Sequence, residues 1–317
     1  MIPVDNKWIV VVNVFAASKK AGSVWKQAAA LLDEAGIPYS VRFTGGADNA
    51  TMLSYKSAVS GYRKFIAVGG DGTIHDVLNG ICSYVSESED STLSDFTMAV
   101  LPVGSGNDWI RSTKVPCDLH AAVKLIADGK TFRQDVVKAA NLDTGFVSYM
   151  ANIGGIGLDA RVAEIVNKKK EQGKRGKMLY VRALLYCIKH RSPVRAKVLC
   201  DGKVVYDGKY FSMAFGIGKY SGGGMRQTPL AIMDDGLLDV TIIPDISMWV
   251  IARKAYRLFT GTFHKVDVLT QTRCREVIVT PYGPADAEPI EVDGEIIGRV
   301  PVKMTVLPSQ LNIIAGF

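Results

Sequence analysis

Phe65-Ile66-Ala67-Val68-Gly69-Gly70-Asp71-Gly72-Thr73 is the stretch that decides the fold. An apolar strand ends, two glycines turn the backbone, a carboxylate sits between glycines, and a helical pattern begins near Thr73. Glycines lack a Cβ, so their peptide N–H groups approach a phosphate closely. The following helix adds the positive end of its dipole. A carboxylate beside polyphosphate calls for a cation between them, and Mg²⁺ is the usual one. The loop therefore reads as a nucleotide site. It is neither a Walker A loop nor the Gly-x-Gly-x-x-Gly dinucleotide fingerprint.

A second loop, Leu101-Pro102-Val103-Gly104-Ser105-Gly106-Asn107-Asp108, also follows an apolar strand and opens onto a helical pattern. Two such loops suit neighbouring strand ends of one open α/β sheet, where ligands bind. Asn107 or Asp108 is expected to cap the helix that follows. The surrounding chain alternates strand and helix. Strands are expected over residues 7–14, 39–44, 65–68 and 96–101, with helices over 23–35 and 48–59. Near-continuous apolar strands between helices imply a parallel sheet covered on both faces. Residues 85–95 are polar and are expected as an exposed loop. After about Lys130 the rhythm changes to short alternating strands, with Asp201-Gly202 as a hairpin signal. Helices are expected over 160–170, 177–189 and 247–260. The glycines of Gly155-Ile156-Gly157-Leu158-Asp159-Ala160 read as backbone turns or substrate contacts.

With both loops read, the chain resembles the diacylglycerol kinase catalytic-domain family, which includes bacterial lipid kinases. That family carries Gly-Gly-Asp-Gly-Thr, a Pro-x-Gly-Thr-x-Asn-Asp loop, a Pro-x-Ala-x-x-x-Asp-Gly-x-Leu-Asp-Val segment and a late Asp-Gly-Glu. Here the last two stand as Pro229 to Val240 and as Asp293-Gly294-Glu295. The resemblance implies a three-layer α/β nucleotide-binding domain over 1–130, to which 308–317 return, and a β-sandwich over 131–307. The active site would lie in the cleft between the two.

The resemblance also assigns roles. Gly69, Gly70, Asp71, Gly72, Thr73, Ile74, His75 and Asp76 line the ATP phosphates, with Asp71 facing the catalytic Mg²⁺. Asn13, Thr44, Gly104, Ser105, Asn107 and Asp108 match further nucleotide-binding positions. Glu295 is the base that accepts the lipid hydroxyl proton, and Asp293 either holds Mg²⁺ or supports that base. Asp235, with the backbone carbonyls of Ile232 and Leu237, matches a structural Mg²⁺ loop. Two departures stand out: Asn13-Val14-Phe15-Ala16-Ala17-Ser18-Lys19-Lys20 lacks the family's proline and early glycine, and His75-Asp76 replaces Asn-Glu.

Composition agrees with a globular chain. The 317 residues are 48% hydrophobic, enough for two cores. No apolar run approaches the ~18 residues of a membrane span, and the N-terminus has no cleavage-site pattern. Cys82, Cys117, Cys187, Cys200 and Cys274 are scattered and read as reduced thiols in a cytoplasmic protein. The net charge of +7 suits nucleotides or anionic lipid head groups, and the densest basic run is 168–177. No nucleic-acid-binding motif is present. The favoured reading is an ATP-dependent lipid kinase acting on diacylglycerol, peripheral to the inner face of a membrane, with a homodimer as the family's precedent. An NAD kinase-like enzyme and a nucleotide-binding regulator with little turnover are the alternatives.

Overall fold

The computed structural model describes residues 4–16, 21–45, 49–103, 106–172, 177–190 and 192–317. The chain divides into two compact units, Met1–Val136 with Pro308–Phe317, and Val137–Leu307.

In the first unit the strands β1 (Trp8–Val12), β2 (Tyr39–Phe43), β3 (Lys64–Gly69) and β4 (Thr97–Pro102) are parallel. They lie in the order β2-β1-β3-β4, and Asn312 and Ile313 pair in parallel beyond β4. All of β1 is buried, as its unbroken Trp-Ile-Val-Val-Val run requires of a strand covered on both faces. The helices are α1 (Ala21–Glu34), α2 (Ala50–Val59), α3 (Asp71–Glu87), α4 (Asp108–Thr113) and α5 (Leu119–Asp128). Helix α1 packs on α5, and α2 on α3. Since β2 and β3 flank β1 on opposite sides, the strand order reverses between β1 and β3, which makes the ends of these strands the switch point of the sheet.

The expected loop at 85–95 needs correction. Helix α3 runs on through Glu87, and Leu93 is buried in a short 3₁₀ turn. That turn is stapled by Asp95, whose carboxylate accepts the Thr92 N–H at 2.7 Å. Polarity misled here because a capping box uses polar residues to build structure.

The second unit is a β-sandwich with helices. It contains β5 (Thr131–Asn141, shared with the first unit), β6 (Val147–Met150), β7 (Ile153–Gly157), α6 (Leu158–Glu171), α7 (Lys177–Lys189), β8 (Val194–Cys200) and β9 (Lys203–Gly216). There follow β10 (Leu238–Pro244), α8 (Met248–Lys254), α9 (Arg257–Thr260), β11 (Thr270–Cys274), β12 (Glu276–Pro281), β13 (Pro289–Val292), β14 (Glu295–Arg299) and β15 (Val302–Ile314), whose end returns to the first unit. Strand β9 is long enough to pair with β8 through its first half, and with both β7 and β10 through its second. Val198, Met213, Phe215, Val240, Val277, Ile290 and Val302 belong to the one core these strands enclose. The Asp201-Gly202 hairpin forms with both residues left-handed, φ 47° and 76°.

The glycines at 154–157 are neither turns nor loops. They lie within β7, between β13 and β9. A Cβ on Gly154 would stand 2.8 Å from the Glu291 carbonyl oxygen, and one on Gly157 2.8 Å from that of Phe211. Glycine is there to let the neighbouring backbones close in. Gly154→Ala is therefore expected to destabilise the second unit by about 1–3 kcal/mol. Thermal melting followed by circular dichroism checks this, and an unchanged melting temperature would refute the close-approach account.

Candidate functional site

The residues singled out in the first unit converge at the switch point. Asn13 follows β1, and its side-chain amide donates to Thr73 Oγ1 at 3.0 Å. Thr73 stands in the first turn of α3, just after β3, so this bond spans the crevice between the two strand ends. Asn13 Oδ1 also accepts the Phe15 N–H at 3.0 Å. Thr44, at the end of β2, is buried and accepts the Val14 N–H through Oγ1 at 3.2 Å. Gly70 is the N-cap of α3, whose first turn presents N–H groups and the positive dipole end towards the same crevice.

Asp71 joins the two glycine-rich loops. Its carboxylate accepts the N–H of Asp108 at 3.2 Å and that of Trp109 at 3.0 Å. It thereby caps α4 from 37 residues away. The expected cap from Asn107 or Asp108 does not form, and the reason is backbone geometry. Asn107 is left-handed, φ 54° and ψ 43°, and makes no side-chain cap bond. Asn tolerates that conformation better than most residues. Gly106 makes room for Asp71, since a Cβ there would sit 3.0 Å from Asp71 Oδ2. Gly104 and Ser105 lie outside the described residues.

Behind this rim the helix turns inward. Ile74 and His75 are buried, and the Asn79 side-chain amide donates to the His75 carbonyl at 2.9 Å. Asp76 accepts from Thr51 Oγ1 of α2 at 3.1 Å, and burial holds its carboxyl above the usual range.

In the second unit, Asp293 and Gly294 form the turn between β13 and β14, with φ 51° and 89°. The Asp293 carboxylate accepts the successive N–H groups of Ala151, Asn152 and Ile153, at 2.8, 3.0 and 3.2 Å. Glu295 is half-buried and lies against Asn167 of α6, whose side chain donates to its Oε2 at 3.4 Å and to the Gly294 carbonyl at 3.0 Å.

Two residues that sequence reading gave no chemical role complete this corner. Glu291 is buried, and its Oε2 accepts the Gly294 N–H at 2.7 Å. Asp159 accepts from Ser212 Oγ at 2.8 Å and from the Gln227 amide at 3.0 Å. Burial raises both carboxyls, that of Glu291 well above the usual range, with the charges of Asp159, Asp293 and Glu295 adding to the effect on Glu291. The available signal was a lone carboxylate between Ile290 and Val292, in an otherwise apolar strand.

Residues 7–139 match the family described as the diacylglycerol kinase catalytic domain, and residues 153–315 match the YegS C-terminal NAD kinase beta sandwich-like domain. The chain belongs to the diacylglycerol kinase family. A Stenotrophomonas maltophilia protein named "Probable lipid kinase YegS-like" is 26% identical over 89% of this chain and 90% of its own. A "Diacylglycerol kinase" of Mycobacterium tuberculosis is 24% identical over 85% of this chain and 82% of its own. The crystal structure of a diacylglycerol kinase from Bacillus anthracis superposes with a TM-score of 0.76 at 23% identity, over 98% of this chain and 97% of that one, which shows the shared fold.

The family's cation loop has a different arrangement of charge here. Asp235 accepts the Leu237 N–H at 3.1 Å and is ion-paired with Arg273, which also holds Asp239 at 3.0 Å. A guanidinium thus already supplies Asp235 with a counter-charge. Among the described residues no group of three or more His, Cys, Asp or Glu is placed to hold a metal. Chelator is accordingly expected to leave the melting temperature unchanged, whereas Asp235→Ala lowers it. A rise in melting temperature with Mg²⁺ that vanishes in Asp235→Ala would restore the metal loop.

Glu291 generates a pH prediction. Its folded pKa lies above its unfolded value, so its stabilising contribution is complete below the unfolded pKa and is lost as pH rises towards the folded one. The slope in that window is at most about 1.4 kcal/mol per pH unit. Glu291→Gln keeps an acceptor for the Gly294 N–H but removes the titration. The melting temperature of the variant should gain on wild type as pH rises from about 5 to 8. Parallel curves would show that Glu291 does not titrate in that window.

Proposed function

We propose that this member of the family transfers the γ-phosphoryl group of ATP to a lipid hydroxyl, with diacylglycerol as the default acceptor and phosphatidic acid as the product. The observation that carries the nucleotide half is the crevice at the β1/β3 switch point, bridged by the Asn13–Thr73 bond and floored by the start of α3. Such a crevice suits phosphates, because backbone N–H groups and the helix dipole converge on it. Mg²⁺ bound with ATP would neutralise phosphate charge, and Asp71 is the carboxylate of this rim that would face it.

In the transfer, the acceptor oxygen bonds to the γ-phosphorus while the bond from that phosphorus to the bridging oxygen of ADP breaks. The hydroxyl proton needs a base, and Glu295 takes that role. It stands on a turn fixed by Asp293 and Glu291 and on its other side by Asn167. The division of labour among these acids is testable, because Asp293 holds three backbone N–H groups and Glu295 lies against the Asn167 side chain.

Purified protein with ATP, Mg²⁺ and separate arms of diacylglycerol, a sphingoid base or NAD decides the acceptor class. Phosphorylated NAD without phosphorylated lipid would overturn the reading, and so would nucleotide binding without turnover in any arm. Glu295→Gln should lower kcat by about 10²–10⁴-fold with little change in nucleotide KM or melting temperature. Asp71→Asn should lower turnover on the order of 10²-fold, and should also cost about 1 kcal/mol of stability through the lost charge at the α4 cap. Wild-type rates in either folded variant would remove that residue from the mechanism.

A further inference from the structure

The segment after β10 has no role in phosphoryl transfer, yet it exposes three large aromatic side chains. Trp249 is 80% exposed, Phe259 63% and Tyr256 58%. Trp249, Arg253 and Tyr256 follow helical spacing, so they share one outward face across α8 and the turn into α9. The segment is not loose. Phe263 and Val266 are buried, and the Leu258 carbonyl accepts the Arg226 N–H at 2.7 Å. Rigid anchorage with outward aromatic rings is costly in water and needs a partner.

Charge identifies the partner. Residues 246–266 contain Arg253, Lys254, Arg257 and Lys265 and no Asp or Glu. A second copy of the chain docked by two-fold symmetry would set these cations against themselves. An anionic bilayer instead attracts them, while Trp and Tyr suit its interface, where one end of the ring is apolar and the other wet.

We propose that Trp249, Tyr256 and Phe259, with Arg253, Lys254 and Lys265 around them, form a docking surface for an anionic lipid bilayer, inserting the aromatic rings at head-group depth. The surface stands on its own geometry and does not require the kinase reading.

Tryptophan fluorescence tests it directly. Trp8 and Trp109 are buried and Trp25 is half-buried, so Trp249 is the solvent-facing reporter. The full chain is titrated with phosphatidylglycerol/phosphatidylcholine vesicles and with pure phosphatidylcholine vesicles. Neither ATP nor an acceptor lipid is present, so failure here leaves the kinase assay independent. The expected result is a blue shift with anionic vesicles, quenching by brominated acyl chains, and loss of both effects in Trp249→Phe. Trp249→Glu/Phe259→Glu should weaken anionic-vesicle binding on the order of tenfold or more, and added salt should weaken wild type. Equal binding to neutral vesicles, no shift at low salt, or unchanged affinity in the double variant would overturn the proposal. So would a lipid-free shift that grows with protein concentration alongside a doubled mass by light scattering, since that result assigns the surface to a second copy. If the double variant fails to fold, the brominated-lipid comparison of wild type with Trp249→Phe still decides.

Discussion

The rim of the β1/β3 crevice depends on one carboxylate. Asp71 stands in the first turn of α3 and binds the first N–H groups of α4. A negative charge at a helix N-terminus is favourable because the dipole ends positive there. The consequence is mechanical as well as electrostatic: the loops after β3 and β4 become one body. Their glycines then read differently. Gly106 is small so that Asp71 can reach the helix, and Asn107 is left-handed so that the chain can turn into α4 beneath it. Removing the carboxylate would loosen the loop that contributes the other half of the rim. Asp71 therefore has a positional role of its own, independent of anything the crevice takes up.

The second unit uses the same device in a β setting. Asp293 closes a left-handed turn and collects N–H groups from the segment entering β7. Successive N–H groups pointing into one concavity form a natural anion nest. Here the anion is a side chain of the protein itself. Glu291 holds the next residue of the turn from beneath. Glu295 is thus carried by a turn fixed at both preceding residues, while its own carboxylate lies against the side chain of Asn167.

Local pattern made the first unit legible. Strands β1, β3 and β4 are apolar runs closed by polar or glycine-rich loops, and the observed β1, β2, β3 and β4 lie within two residues of the expected bounds. Where the sequence misled, a distant part of the chain had decided the local structure. The glycines of β7 look like turns because nothing nearby reveals the backbones of β9 and β13 on either side. The cap of α4 was sought beside it, in Asn107 or Asp108, and came from Asp71. Likewise, Arg273 could not be paired with Asp235 and Asp239 from a spacing of more than thirty residues, because only the β10–β11 pairing brings them together. Family motifs identified Asp293 and Glu295, but a motif marks residue types and does not say which carboxylate is occupied by backbone.

That distinction bears on how acidic residues in such a site are to be separated. Asp71 and Asp293 bind main-chain N–H groups, so they hold loops in place as well as carrying charge. Glu291 and Asp159 are buried, and burial disfavours their ionised forms despite the hydrogen bonds each accepts. A carboxylate well suited to accept a substrate proton should be neither locked by several backbone donors nor so desolvated that it already holds a proton at neutral pH. Of the four acids in the corner around the 293–295 turn, Asp293 holds three backbone N–H groups, and burial raises the carboxyls of Asp159 and Glu291. Glu295 is half-buried rather than buried, and the amide of Asn167 lies against its carboxylate, so water still reaches the side chain of this acid.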